Sequence, residues 1–329
     1  MKILKNTAII FSSRILLFIL NFAKSVLIHR ILGPFGKGQF ALITLIPKLL
    51  TTLGSLGIGV SNVYFTGRKK DKLSDIVSTS FIIAIVLGLI LIGILLLLFD
   101  YLPDSLLRDV QLSQILIASL IIPFGLLNIY ISSILLGCDR TKEVGVLWIL
   151  APSALISYLI ILTMILKKGV VGAVSAWILS TVTVTVFSIF FINQRVKIKL
   201  SLKIHFFKKS LIYGLKAHLG TCAQFLNYRL DMFFVQYFLG FAQLGYYSLA
   251  VAISELLWDV PYSVSTALFP KISSSSKEEA SSLTPKMCRN TVFVMLLLSA
   301  FVFLFCEIII RIAYSQVFLA SALPLRILL

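Results

Sequence analysis

The sequence predicts an all-α polytopic membrane protein, drawn as two parallel-repeat helical lobes around a central cavity, with the second lobe incomplete. Three observations carry that expectation. Of the 329 residues, 59% are hydrophobic and only 13% are charged, with a mean hydropathy of +1.01; soluble domains carry about a quarter charged residues. Uninterrupted apolar runs, such as residues 82–99 and 149–166, are long enough as helices to cross about 30 Å of hydrocarbon. The opening of the chain is echoed 207 residues later. Alternating β-barrel patterning is absent.

Spans are expected near residues 6–30, 39–63, 75–99, 112–137, 145–166, 170–192, 211–238, 241–268 and 290–313, with a tenth from about 317. The last residues stop partway into an apolar segment without a flanking charge or loop, so the sequence is expected to be a truncated or split product. The net charge of +17 is explained by topology. Eighteen cations fall in segments on the N-terminal side of the bilayer; Arg30, Lys37, Arg108, Lys167, Lys168 and Arg311 fall on the other. The positive-inside rule then places the N-terminus in the cytoplasm, and nucleic acid is not an expected partner. Cys138, Cys222, Cys288 and Cys306 are far apart, and His29, His205 and His218 form no ligand cluster, so no metal site is expected.

The first two spans carry the informative charges. Arg14, Lys24 and Lys48 lie well inside apolar helices, where each cation facing lipid costs about 2.5–3.5 kcal/mol. At 100° per residue, Arg14, Asn21 and Ser25 share a narrow face with Lys24 at its flank. Lys48, Thr51, Thr52, Ser55, Gly59 and Asn62 form one polar stripe on the second span. Such stripes suit helices lining an aqueous cavity that receives an anion; snorkelling or local pairing is the alternative, above all for Arg30 near a helix end.

Further along, Pro123 and Asn128 in the fourth span and Pro152 in the fifth are places for a bend or a wet face. The basic stretch 193–210 reads as a cytoplasmic linker between an N-terminal six-helix lobe (1–192) and a C-terminal lobe (211–329). A 207-residue shift lays Leu32-Gly33 on Leu239-Gly240, Gly38 on Gly245 and Leu49-Leu50 on Leu256-Leu257, without a gap. Six spans separate the copies, which makes the repeat parallel about an axis along the membrane normal. The shift also sets Lys48 opposite Glu255 and Thr52 opposite Asp259. In the seventh span Thr221, Gln224, Tyr228 and Asp231 share a face, with Asn227 and Arg229 beside it. Asp231, Glu255 and Asp259 are candidates for ion coupling; a structural ion pair of Glu255 or Asp259 with Lys48 or Arg229 is the competing reading.

The turn Ile31-Leu-Gly-Pro-Phe-Gly-Lys-Gly-Gln-Phe-Ala-Leu42, with Arg14 before it and the glycine-rich run 54–59 after it, resembles the polysaccharide-transporter (Wzx-type O-antigen flippase) family. That family belongs to the multidrug/oligosaccharidyl-lipid/polysaccharide (MOP) exporter superfamily. The resemblance implies twelve or more helices in two lobes and alternating access. It also implies a bacterial or archaeal cytoplasmic membrane, and an oligosaccharide on undecaprenyl pyrophosphate moved from the inner to the outer leaflet. Membrane lipids, a polysaccharide polymerase and chain-length machinery are the implied partners. On that basis Arg14, Lys24, Lys48 and Arg229 are expected to hold the diphosphate, and Asn21, Gln224 and Asn227 to contact phosphate or sugar. No covalent chemistry and no cofactor are expected.

Three alternatives stay open. One is another carrier of the same superfamily, for the peptidoglycan precursor or for drug cations. A membrane polymerase or glycosyltransferase is disfavoured by the short loops on the outer side. A non-transporting remnant or partner subunit is the third.

Overall fold

The computed structural model describes residues 2–69, 71–101, 103, 110–197 and 201–329; side chains are described from Ile15 onward, except at 100, 266, 267, 269–271, 273, 274 and 277. Among these residues the ordered structure is helical, with no strand. Arg14, Lys70, Arg108 with most of its loop, and Lys199 therefore lie outside the described side chains.

The helices are α1 (Lys2–Gly54), α2 (Ile58–Arg68), α3 (Leu73–Leu98), α4 (Leu112–Ser119), α5 (Ile121–Gly137), α6 (Thr141–Leu159), α7 (Gly169–Asn193), α8 (Ile204–Leu239), α9 (Phe241–Leu257), α10 (Asp259–Ser274), α11 (Lys277–Ile309) and α12 (Ala322–Leu328). Six stretches are long and apolar enough to cross a membrane by composition alone. This is a multi-pass membrane protein. α8 and the α9–α10 pair are not among the six, because they carry the polar stripes.

α1 is two limbs, not one rod. A straight helix would hold Lys24 and Lys48 about 36 Å apart, yet they lie within electrostatic range of each other. The chain reverses at Gly33, whose φ of 65° and ψ of 178° suit glycine alone. Pro34 then takes the first position of the second limb, where its missing N–H costs nothing. The expected turn over 31–38 thus shrinks to one residue, and the second limb begins at Pro34 rather than near 39.

The second copy repeats this geometry. Gly240 has φ 82° and ψ −179° and joins α8 to α9 as Gly33 joins the limbs of α1. A Cβ on Gly38 would stand 1.9 Å from the Phe241 carbonyl oxygen, and one on Gly245 would stand 1.9 Å from that of Pro34. Residues 34 and 241, like 38 and 245, are 207 apart. The two hairpins therefore cross glycine-on-backbone in a reciprocal, pseudo-twofold contact.

The run at 54–59 both breaks and packs. Leu56 and Gly57 have positive φ (50° and 66°), ending α1 before α2 restarts. A Cβ on Gly57 would meet the Gly214 carbonyl oxygen at 2.2 Å, so α8 presses on the break. α8 starts at Ile204, seven residues earlier than expected, and this added length packs on the first lobe. Tyr213 stacks on Tyr64 with ring centres 4.3 Å apart, Phe206 meets Phe65, and Ser61 and Ser210 share a hydrogen bond. Lys209 pairs with Asp71 at 2.7 Å, and His218 Nε2–H donates to the Leu53 carbonyl at 2.8 Å.

The first limb of α1 reaches the other way. Phe22 and Val26 pack on the second-lobe core of Leu249, Ala250, Cys306, Ile310, Tyr314 and Phe318. Arg30 donates to the carbonyls of Ala313 (2.7 Å) and Ile312 (2.5 Å), closing the end of the ninth pass. Each lobe thus lends its first helix to the other.

Candidate functional site

Three connected chambers lie between the lobes. One, of about 470 Å³, is lined by Asn21 and Lys24 of α1, Trp148 and Pro152 of α6, Trp177 and Thr181 of α7, and Asp259 and Tyr262 of α10. A second, of about 500 Å³, is lined by Lys48, Thr51 and Thr52, by Gly125 and Asn128 of α5, by Trp177 and Thr181, and by Phe225, Tyr228 and Arg229 of α8. The third, of about 330 Å³, holds Asn21, Lys24, Ser25, His29, Lys37, Glu255 and Asp259. Trp177 and Thr181 border the first two; Asn21, Lys24 and Asp259 border the first and third.

Of the residues singled out in the sequence, Asn21, Lys24, Lys48, Arg229, Glu255 and Asp259 come together here. Arg229 Nη1 donates to Glu255 Oε1 at 2.6 Å, which is the structural pairing that competed with a coupling role. Lys24 Nζ donates to Asn21 Oδ1 at 2.8 Å. Lys48 Nζ stands 5.2 Å from the centre of the Trp177 ring, within cation–π reach. Among the described residues no carboxylate is in ion-pair contact with Lys24, Lys37 or Lys48.

Gln224 and Asn227 do not line these chambers. The helical face chosen from polar spacing was displaced: Phe225, Tyr228 and Arg229 face inward, and Gln224 Nε2 donates to Tyr228 Oη at 3.4 Å on the exposed side. Asp231 is also turned aside, accepting from the Tyr247 hydroxyl and from the Met232 amide at 2.7 Å.

The sequence predicts Lys37 in an outer loop; the structure puts it inside the cavity. With the turn confined to Gly33, Lys37 sits on the first turn of the second limb and lies within electrostatic range of Lys48, Arg229 and Lys24. The signal for it was the Gly-Pro pair, which restarts a helix at once. Asn128, read in the sequence as a place for a bend or a wet face, lines the second chamber, whereas Trp177 and Thr181 carry no charge pattern and are not legible in the sequence.

Depth orders the charges. At 1.5 Å per residue from the two hairpin turns, Lys37 lies about 6 Å down, Lys24 about 14 Å, Arg229 about 16 Å, Lys48 and Glu255 about 22 Å and Asp259 about 28 Å. Among the described lining residues, four cations against two carboxylates leave the cavity positive, with the positive end toward the turns. Among the described residues no three His, Cys, Asp or Glu side chains gather as a metal site.

A family described as polysaccharide biosynthesis protein matches residues 3–276. The chain belongs to that family. No curated protein matches it. Among solved structures, the chain is similar to the inward-facing conformation of a multidrug resistance MATE family transporter of the MOP superfamily. The TM-score is 0.71 at 18% identity, covering 94% of this chain and 76% of that one. The outward-facing conformation of a MATE transporter of the same superfamily gives 0.58 at 18% identity, covering 95% and 77%. A MOP superfamily transporter from Pyrococcus furiosus, described as having a binding pocket of reverse polarity, gives 0.55 at 16% identity, covering 94% and 77%. At these identities the likeness is one of fold, and the fold is that of MOP superfamily transporters.

Proposed function

We propose that the protein is a flippase that moves a polyprenyl-diphosphate-linked oligosaccharide from the inner to the outer leaflet of a cell membrane, by alternating access and with its N-terminus inside. The observation that carries this is the interlobe cavity in which Lys24, Lys37 and Lys48 have no carboxylate in ion-pair contact among the described residues. A diphosphate supplies the missing negative charge, and charge-assisted hydrogen bonds to it are stronger than those between neutral groups. The oligosaccharide stays in the wet cavity while the polyprenyl tail remains in lipid between the lobes.

The reciprocal glycine contact closes the end at the hairpin turns, so the cavity is entered from the end bearing the basic loops. Rocking of the lobes would open the first end and close the second. Glu255 and Asp259, the acidic groups facing the cavity, are the place for ion coupling in this reading. A drug-cation carrier is disfavoured by the excess of cavity cations.

The test is surface-polymer display in cells lacking their own flippase, together with the cognate polymer genes. The protein should restore display, and Lys48→Glu should abolish it while membrane insertion is unchanged. Undiminished display with Lys48→Glu would overturn the assignment.

A further inference from the structure

The cationic and aromatic residues of the cavity overlap, with Lys24 beside Trp148 and Trp177 and with Lys48 and Arg229 beside Trp177, Phe225 and Tyr228, but they grade along its depth. Lys37 and Arg229 lie toward the hairpin turns, whereas the chamber bounded by Trp148 and Tyr262 reaches toward the basic loops. Trp148 is seven residues into α6, about 10 Å from the end bearing those loops. Two of the chain's three tryptophans line this chamber. Around the rings stand an amide (Asn21), an ammonium (Lys24), a hydroxyl (Thr181) and a carboxylate (Asp259) that makes no ion pair among the described residues.

We propose that this chamber is the seat of the glycan: it takes the sugar residues nearest the diphosphate, as pyranose rings stacked on aromatic faces. The inference rests on the flippase reading and deepens it. A pyranose has flat C–H faces and a rim of hydroxyls. Aromatic faces accept the first, and an amide, a hydroxyl and a carboxylate bind the second; sites of this kind combine apolar walls with a few placed polar groups. Trp177 is the junction. It borders both chambers and lies beneath Lys48 Nζ, so a phosphate held at Lys48 delivers its first sugar to the Trp177 edge. The head group is thereby polarised, with the diphosphate toward the hairpin turns and the glycan toward the basic loops. A chamber shared with Lys24 and open to Lys48 disfavours a cationic occupant.

The test uses the full chain purified in detergent and three probes: farnesyl diphosphate, and farnesyl diphosphate bearing N-acetylglucosamine or galactose. At least one glycosylated probe should bind tenfold or more tightly than farnesyl diphosphate. Trp148→Leu and Asp259→Asn should each erase that gain while farnesyl diphosphate affinity stays within twofold of the parent; Trp148→Phe should retain most of the gain, which separates stacking from misfolding. No gain from either sugar, or a gain that survives both Trp148→Leu and Asp259→Asn, overturns the proposal and leaves the flippase reading standing. Binding of a glycosylated probe that Trp148→Leu removes, with no measurable binding of farnesyl diphosphate, supports the glycan seat and counts against the diphosphate reading. Ethidium binding lost in Trp148→Leu, with sugar making no difference, overturns it in favour of a cationic cargo.

Discussion

The hairpin made by the two limbs of α1 and the hairpin made by α8 with α9 and α10 share a backbone and oppose each other in chemistry. Gly33 and Gly240 reverse the chain in nearly the same conformation, and Gly38 and Gly245 each seat on the other hairpin. Yet at positions 207 residues apart Lys24 corresponds to Asp231, Lys37 to Leu244, Lys48 to Glu255 and Thr52 to Asp259. The second hairpin spends its charge internally: Glu255 pairs with Arg229, and Asp231 is held by Tyr247 and a backbone amide. Lys24, Lys37 and Lys48 of the first hairpin have no carboxylate in ion-pair contact among the described residues. The two hairpins share a scaffold, and their difference in charge leaves one side of the cavity cationic and available.

The scaffold half of that comparison breaks most violently. A side chain at Gly38 or Gly245 meets a backbone carbonyl, which cannot move aside as a flexible side chain can. Overpacking typically costs 1–3 kcal/mol, and with no soft neighbour Gly38→Val and Gly245→Val should each reach about 3 kcal/mol. Thermal unfolding in detergent checks it. The two losses should be alike, because the contact is reciprocal, and a loss at one site alone would show that the pseudo-twofold packing is not what holds that end closed.

Charge comes next. Lys48→Glu should lower farnesyl diphosphate affinity at least a hundredfold, about 2.7 kcal/mol. The double variant Lys48→Glu with Glu255→Lys should recover at least tenfold of this, since it moves the cation to the matched position on the other hairpin. Failure to recover would mean that the position over Trp177, and not the sign of the cavity, is what the anion needs.

A smaller effect tests the internal pairing. Arg229→Ala leaves Glu255 without its guanidinium. Breaking a deeply buried pair costs about 3–5 kcal/mol, but these side chains are 27% and 29% exposed, so about 1–2 kcal/mol is expected. Arg229→Ala with Glu255→Ala should be closer to the parent than Arg229→Ala alone, as read by melting temperature.

The same comparison explains what the sequence disclosed and what it hid. Hydropathy and the 207-residue echo located the passes to within a few residues in most cases, because both are set by local composition. Lys24, Lys48, Arg229 and Glu255 were legible because a charge in an apolar helix must find water or a partner. Lys37 was not, because Gly-Pro-Phe-Gly-Lys-Gly has the composition of a loop. Only Gly33 turns; Gly38 is there for a close approach made by residues two hundred positions away. Gln224 and Asn227 misled for the complementary reason: polarity on one helix gives a face but not the neighbour that covers it.

The smallest expected effect falls on Asp231, the matched partner of Lys24. If it carried a coupling ion, Asp231→Asn would abolish transport, since a neutral amide releases no proton and offers less charge to sodium. Its geometry argues otherwise. The carboxylate receives the Tyr247 hydroxyl and the Met232 amide, lies outside the chambers, and binds its own hairpin together. An asparagine keeps one acceptor oxygen and loses the other, which is worth about 0.5–1.5 kcal/mol for one hydrogen bond. Transport in Asp231→Asn should stay within twofold of the parent and keep its pH dependence, with a slightly lower melting temperature. Asp259→Asn, at the cavity wall, should change transport far more. Equal losses in the two variants would mean that the acidic hairpin acts as a unit and that its charge, too, is available to cargo or ion.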